Sequence, residues 1–204
     1  MSNFGEQRAR QDVFGREQAR RSRAHQVLER LDLVRRWSRY GRVIPHGAMT
    51  YGLMVALDID MATACPELRS GMGFDVVSEI AQMTGVRKVR YRNQLDDPGD
   101  PGLYYQIQYR DDRDDLWKVD AWLVPETSPS TAHLDRQVES LRRALTTESR
   151  SAILEIKEAN QGQEPMRGID IYQAVLDGGV RSVNDCRQWI ADHPVEGMNW
   201  WLPE

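Results

Sequence analysis

Two aspartates separated by a single residue, Asp58 and Asp60, are the strongest chemical signal in the sequence. Side chains of a β-strand alternate between its two faces, so a strand here would place both carboxylates on one face and Ile59 on the other. Two carboxylates in an otherwise apolar strand are costly to bury unless a positive charge compensates them. Because hard oxygen ligands suit Mg²⁺, the spacing predicts a metal site.

A third carboxylate and a turn of small residues accompany this pair. Asp120 lies in the middle of a stretch, 117–124, whose composition predicts a strand, and aspartate is uncommon in that position. Gly47 and Ala48 precede the first aspartate of the pair, with nine residues between them and Asp58. Glycine permits a positive φ and a close approach of the backbone, so the turn could lie against a phosphate.

Together these residues resemble the signature of the polymerase-β-type nucleotidyltransferase superfamily. That signature has a hydrophobic residue, then Gly, then Gly or Ser, followed by Asp-x-Asp or Asp-x-Glu and by a third carboxylate on a later strand. The matching residues span roughly 43–124. The chain departs from the pattern at Ala48, where Ser is commonest, and at His46, where an apolar residue is usual.

The resemblance implies a Mg²⁺-dependent enzyme that transfers a nucleoside monophosphate from a nucleoside triphosphate, expected to be ATP, to a hydroxyl. It implies that Asp58, Asp60 and Asp120 are the catalytic residues and hold two Mg²⁺ ions, with Asp120 on the nucleophile side. Gly47 and the Ala48 amide would contact phosphate. The acceptor hydroxyl would belong to a small molecule or to a protein side chain.

A basic strand predicted over 86–93 supplies further candidates for nucleotide binding. Alternation places Lys88, Arg90 and Arg92 on one face, where Lys88 and Arg90 could hold triphosphate oxygens. An exposed sheet face with solvated charges explains the same pattern equally well.

The order of patterns predicts an α/β (α+β) fold, with a mixed sheet flanked by helices and a helical C-terminal part. Strands are predicted over 42–46, 58–61, 86–93, 103–110 and 116–124. Pro45 places the first strand at an edge or near a strand end. We divide the chain into a basic N-terminal extension (1–24), a nucleotidyltransferase-like catalytic domain (25–125) and a C-terminal helical region (126–204).

Three predicted helices have inward faces that the structure can test. One helix from residue 25 to 40 would have a buried face formed by Val27, Leu28, Leu31, Val34 and Trp37. Another over 74–83 would bury Phe74, Val77, Ile80 and Ala81. The third would follow the Gly47 turn over 49–55, with its first N–H groups open to phosphate.

Charge is unevenly distributed along the chain. The net charge is −4, but residues 1–40 hold ten Arg and five acidic residues, a balance of +5. A basic arm could contact nucleic acid, although a solvated helix with internal ion pairs is the simpler interpretation. The acidic remainder argues against nucleic-acid binding. The acidic run 111–115 predicts a solvated hairpin turn without a function.

The remaining features predict a cytoplasmic protein without a membrane span. No apolar run approaches the length of a bilayer span, no secretory leader is visible, and Cys65 and Cys186 are interpreted as reduced thiols. Whether the chain forms a homo-oligomer is left open. Two alternatives to the enzyme remain: an idle nucleotidyltransferase-like domain that binds a nucleotide or a partner, and an α/β binding module in which Asp-x-Asp is coincidental.

Overall fold

The protein contains a five-stranded mixed sheet. The computed structural model describes residues 2–204, with side chains described from residue 12 onward. The strands are β1 (Arg42–His46), β2 (Asp58–Cys65), β3 (Val86–Asn93), β4 (Leu103–Arg110) and β5 (Leu116–Pro125). Their spatial order is β1-β2-β5-β4-β3. Only β2 and β5 are parallel, and the other neighbours are antiparallel. The prediction that Pro45 lies on an edge strand is confirmed.

Eight helices of the described chain flank this sheet. They are α1 (Ser2–Arg30), α2 (Leu33–Trp37), α3 (Gly47–Tyr51), α4 (Phe74–Ala81), α5 (Pro129–Ala144), α6 (Thr147–Ala159), α7 (Gly168–Leu176) and α8 (Val183–Asp192). Every element after β5 is helical. The predicted α+β class is therefore confirmed.

The two faces of the sheet have opposite character because side chains alternate along each strand. One face packs against α1, α2 and α4. Its central residues are fully buried, namely Ile59, Tyr105, Ile107, Trp117 and Val119, whereas those of the edge strand β3 are partly buried. The other, which we call the open face, carries partly exposed polar residues of β2, β4 and β5. A second apolar core joins the C-terminal helices and includes Val13 of α1, so α1 contacts both cores.

The predicted single helix over residues 25–40 is wrong, because the helix is interrupted between the end of α1 at Arg30 and the start of α2 at Leu33. Asp32 has a φ of 49°, a left-handed conformation that ends one helix and rotates the next. As a result Leu33 and Trp37 are buried, while Val34 is 46% exposed. A single left-handed residue such as Asp32 changes the helix direction without changing the order of apolar residues in the sequence. Apolar periodicity therefore does not reveal the interruption.

The inward face predicted for the helix over 74–83 also needs correction. The helix ends at Ala81, which is exposed, and Val76 is buried beside Val77 and Ile80. Phe74 is 46% exposed. It lies in the first helical turn, and its ring packs on Tyr91 of β3 at a centroid distance of 4.7 Å without being enclosed.

The described arginines of α1 pair with other elements as well as within the helix. Arg16 and Arg20 bind Glu158 of α6, and Arg23 binds Asp111 and Asp115 in the β4–β5 turn. The acidic turn is therefore an anchor for α1 rather than a purely solvated loop. The side chains of residues 1–11, which belong to the predicted basic extension, lie outside the described part.

None of the helices within residues 2–204 is both long enough and apolar enough to cross a membrane.

Candidate metal centre

The parallel pairing of β2 with β5 brings the three predicted aspartates together. Asp60 lies directly beside Asp120, and Asp58 lies beside Lys118. One carboxylate oxygen from each of the three aspartates lies within 4.8 Å of the other two. All three side chains extend from the open face, as the alternation predicts, while Ile59 is buried in the core.

Burial and mutual repulsion make the ionised forms of two of these carboxylates costly. Burial raises the pKa of Asp58, and the nearby charge of Asp60 raises it further. Burial likewise raises the pKa of Asp60, with the charge of Asp120 as the next cause. The Oδ1 atom of Asp58 is buried and has no hydrogen-bond partner among the described residues. A cation that compensates this charge would relieve both penalties.

Lys118 supplies part of the compensation. Its Nζ lies 2.9 Å from an oxygen of Asp58 and 2.9 Å from an oxygen of Asp120. Burial opposes the charge of Lys118, but the hydrogen bonds to Asp120 and Asp58 outweigh burial and raise its pKa. The sequence shows that Lys118 and Asp120 share a strand face, yet it does not show that the ammonium also reaches Asp58.

Two residues of β4 hold the other oxygen of Asp120. The Tyr104 hydroxyl donates to Oδ1 of Asp120 at 2.7 Å, and the Gln106 amide donates to the same atom at 3.2 Å. Burial and the bond to Asp120 raise the pKa of Tyr104 to about 12, so the hydroxyl keeps its proton. We did not select these residues from the sequence, although the alternation of β4 would have placed both on this face.

Gly47 begins α3 and packs directly against Asp60. Its φ is 71°, and a Cβ at this position would overlap Oδ2 of Asp60 and lie 2.8 Å from its Cγ. Close contact between the backbone and Asp60 is therefore a reason for glycine, in addition to the predicted approach to phosphate. The predicted helix over 49–55 is wrong in its bounds: α3 ends at Tyr51, followed by Gly52 with a φ of 67°.

A cavity of about 550 Å³ lies between this centre and the helices α6 and α7. Gly47, Ala48, Asp58 and Asp60 line one side, and Lys157 lines another. Lys157 Nζ donates to the Leu53 carbonyl at 2.7 Å.

Burial lowers the pKa of Lys157 to about 8, although the charges of Asp60 and Asp58 oppose this shift. Lys157 was not among the predicted site residues, because it lies in a helix with ordinary amphipathic spacing. No local pattern distinguishes it from a surface lysine.

His46 adjoins the centre from the edge strand. It pairs with Asp60 across β1 and β2 and lines the same cavity. Burial lowers the pKa of His46 to about 4, while the charge of Asp120 opposes this shift. The imidazole is therefore neutral near pH 7.

Lys88 and Arg90 lie on the open face, but they are not brought to the aspartates. Arg90 pairs with Gln106 of β4, which in turn pairs with Asp120. Two strand spacings, about 10 Å, therefore separate Arg90 from Asp120 along the sheet. Both basic side chains are exposed, and neither lines the cavity beside Gly47.

The fold and the site together define an α+β protein with three carboxylates gathered beside a cavity. No protein-family model matches the chain, and a search of curated proteins finds no similar sequence. The function is therefore inferred from the geometry of the centre.

Proposed function

We propose that the chain is a Mg²⁺-dependent nucleotidyltransferase that moves a nucleoside monophosphate from a nucleoside triphosphate to a hydroxyl. The observation that carries this proposal is the meeting of Asp58, Asp60 and Asp120 within 4.8 Å on adjacent parallel strands. Gly47, which begins α3 beside Asp60, lines the same cavity as Asp58 and Asp60, and its backbone could contact a phosphate bound there. ATP remains the expected donor.

The three carboxylates fit Mg²⁺ by their chemistry. All three offer oxygen ligands, and the buried Oδ1 of Asp58 has no partner among the described residues. Bound Mg²⁺ would offset the charge of the triphosphate and lower the pKa of the acceptor hydroxyl.

Other groups have roles in this proposal that need no metal. The backbone of Gly47 lines the cavity, where it could contact phosphate oxygens. Lys157, in the wall of the same cavity, would pair with phosphate, whose negative charge favours the protonated amine. Tyr104 and Gln106 hold Asp120 in one orientation, so one of its oxygens stays fixed in place.

One observation favours the second candidate, an idle domain that binds a nucleotide or a partner without turnover. The Lys118 ammonium already bridges Asp58 and Asp120, and it places a positive charge between two of the proposed metal ligands. Since Lys118 is 42% exposed at its side chain, it can swing into solvent when a divalent cation binds. In an idle domain it would stay in place.

The experiment is a set of thermal melts of the wild type and of Asp60→Asn with ATP, GTP, CTP or UTP, each with and without Mg²⁺. A ligand at about a hundred times its Kd should add roughly 2.7 kcal/mol to the stability of the wild type. We expect one nucleotide to do so only with Mg²⁺, and we expect the effect to disappear in Asp60→Asn. Asp96→Asn, in the exposed β3–β4 loop, is the matched control and should respond as the wild type does.

Two outcomes would contradict the proposal that the chain is a nucleotidyltransferase. If no nucleotide shifts the wild type, the three aspartates are structural. If a nucleotide binds but pyrophosphate is not released with any of a panel of hydroxyl compounds, the idle domain becomes the better account.

A further inference from the structure

A second cavity, of about 610 Å³, adjoins the first one on the open face. It lies over the later parts of β2 and β5, beneath α5 and the tail at residues 197–199. The two cavities share His46, Gln137 and Ile169 in their linings. The apolar part of its wall is formed by Ala62, Trp122, Val124, Leu134, Ile169 and Met198.

An aromatic pair connects this second cavity to the metal centre. Trp122 follows Asp120 by two residues, so both side chains extend from the open face of β5. The Tyr104 ring packs on Trp122 at a centroid distance of 4.8 Å, while its hydroxyl binds Asp120 at 2.7 Å. His46, which pairs with Asp60, forms the boundary on the other side.

Most charged groups at the rim of this cavity are engaged by the protein itself. Arg167 binds Asp170 at 2.6 Å and two backbone carbonyls of the tail. Asp97 accepts two backbone N–H groups of its own loop, at 2.9 and 3.2 Å. The Arg92 guanidinium lies over the Trp122 ring, 5.6 Å from its centroid. Two further lining atoms, Oδ1 of Asp100 and Oε1 of Gln94, are buried without a hydrogen-bond partner among the described residues. The walls therefore offer a ligand rings, aliphatic groups and these two acceptors.

We propose that the second cavity binds a small, uncharged, ring-bearing alcohol, whose ring contacts Trp122 and whose hydroxyl points toward His46 and Asp120. Its volume and the apolar part of its wall suit a drug-sized molecule with a ring better than a polyol or a polymer. The role of this alcohol as acceptor rests on the proposed function.

In the transfer, the alcohol oxygen bonds to the α-phosphorus of the nucleotide. The bond from that phosphorus to the bridging oxygen breaks, pyrophosphate leaves with the bonding electrons, and the hydroxyl proton passes to water. The first cavity would hold the nucleotide, because Gly47, Lys157 and two of the aspartates line it.

The test uses the full chain without nucleotide or Mg²⁺ and follows three probes by ligand-observed NMR: 2-phenylethanol, cyclohexylmethanol and myo-inositol. We expect the two ring-bearing apolar alcohols to bind with a Kd on the order of 1 mM, as suits ligands of this size. We expect no saturable binding of myo-inositol, which offers only hydroxyls to an apolar wall.

A cavity-filling variant ties the binding to this site. Leu134→Trp places a ring in the cavity and should weaken binding of 2-phenylethanol at least tenfold. Val34→Trp adds the same ring at a position on α2 that is 46% exposed and should leave binding unchanged. A melt of each variant confirms that it folds.

Three results would overturn the proposal: binding of myo-inositol as strong as that of 2-phenylethanol, binding that Leu134→Trp leaves intact, and full displacement of 2-phenylethanol by Mg²⁺ and ATP. Binding of the two alcohols with no nucleotide response in the wild type gives a different answer. The ligand site then stands, and only the transferase is rejected.

Discussion

Gly47 and Asp60 are in such close contact that residue 47 has no room for a side chain. A Cβ there would lie 2.8 Å from Cγ of Asp60, and the backbone has a φ of 71°, which favours glycine. The turn and the carboxylate therefore constrain each other. Any change at residue 47 should displace a proposed metal ligand.

Substitution Gly47→Ala should lower both stability and metal binding. We expect a loss of about 1–3 kcal/mol in the free energy of unfolding, because positive-φ strain and the clash with Asp60 add. Gly179→Ala is the matched control: its φ is 63°, and a Cβ there meets nothing within 4 Å. Urea unfolding with and without Mg²⁺ measures both effects. Equal losses in the two variants would show that the contact with Asp60 is unimportant.

Removing the ammonium with Lys118→Met should make the protein more dependent on a divalent cation. Without Lys118, Asp58 and Asp120 lose their shared positive partner, so we expect a loss of about 1–2 kcal/mol in the absence of metal. Mg²⁺ should then stabilise the variant more than it stabilises the wild type. Melting temperatures across a Mg²⁺ titration provide the comparison, and an identical Mg²⁺ response would argue against a metal at these residues.

Stability above pH 8 should depend on Lys157. Its folded pKa is lowered from 10.5 to about 8, so between these values the unfolded chain binds more protons than the folded one. As the pH rises from 8 to 10.5, Lys157 therefore increases the free energy of unfolding, and the protein becomes more stable. Lys157→Met removes that contribution.

The measurement is the difference between wild type and Lys157→Met in chemical denaturation at pH 7, 8, 9 and 10. We expect the free energy of unfolding of the wild type to rise relative to that of the variant as the pH increases. Arg150→Met, about two helical turns before Lys157 on α6, is the control. It leaves Lys157 intact, so its stability should show the same pH dependence as that of the wild type. A constant difference between wild type and Lys157→Met would mean that the amine titrates normally.

Arg23 should contribute more to stability than an ordinary surface arginine. Its side chain is 16% exposed, it binds Asp111 and Asp115, and its guanidinium lies 5.5 Å from the centroid of the Trp117 ring. Arg23→Gln should cost about 1–3 kcal/mol, since it leaves partly buried carboxylates without a cation. Arg35→Gln, at a side chain that is 67% exposed, should cost less than about 0.5 kcal/mol. Guanidinium denaturation of both variants tests the contrast.

Local patterns located four of the five strands to within one residue, and they predicted the face on which each aspartate lies. The second strand was predicted over 58–61 but continues to Cys65, so its predicted end is wrong. Alternation is a steric property of the extended chain, so Asp58 and Asp60 had to share a face, opposite the buried Ile59. The same alternation places Lys118, Asp120 and Trp122 on one face of β5. The edge position of Pro45 followed from its missing N–H donor.

Backbone conformation at single residues escaped these patterns. The break at Asp32 depends on one left-handed residue, and it moved burial from Val34 to Leu33. Likewise Phe74 remains partly exposed because it lies where α4 begins, a boundary that apolar spacing does not locate.

Only the tertiary structure decided which residues form the centre. The parallel pairing of β2 with β5 sets Asp120 beside Asp60, and α6 packs so that Lys157 lines the cavity next to them. The same packing leaves Arg90 two strands from Asp120. The sequence by itself determined the chemical groups and their faces, because those follow from local sterics. Strand order and helix packing depend on burial summed over residues far apart in the chain, so the meeting of those groups required the fold.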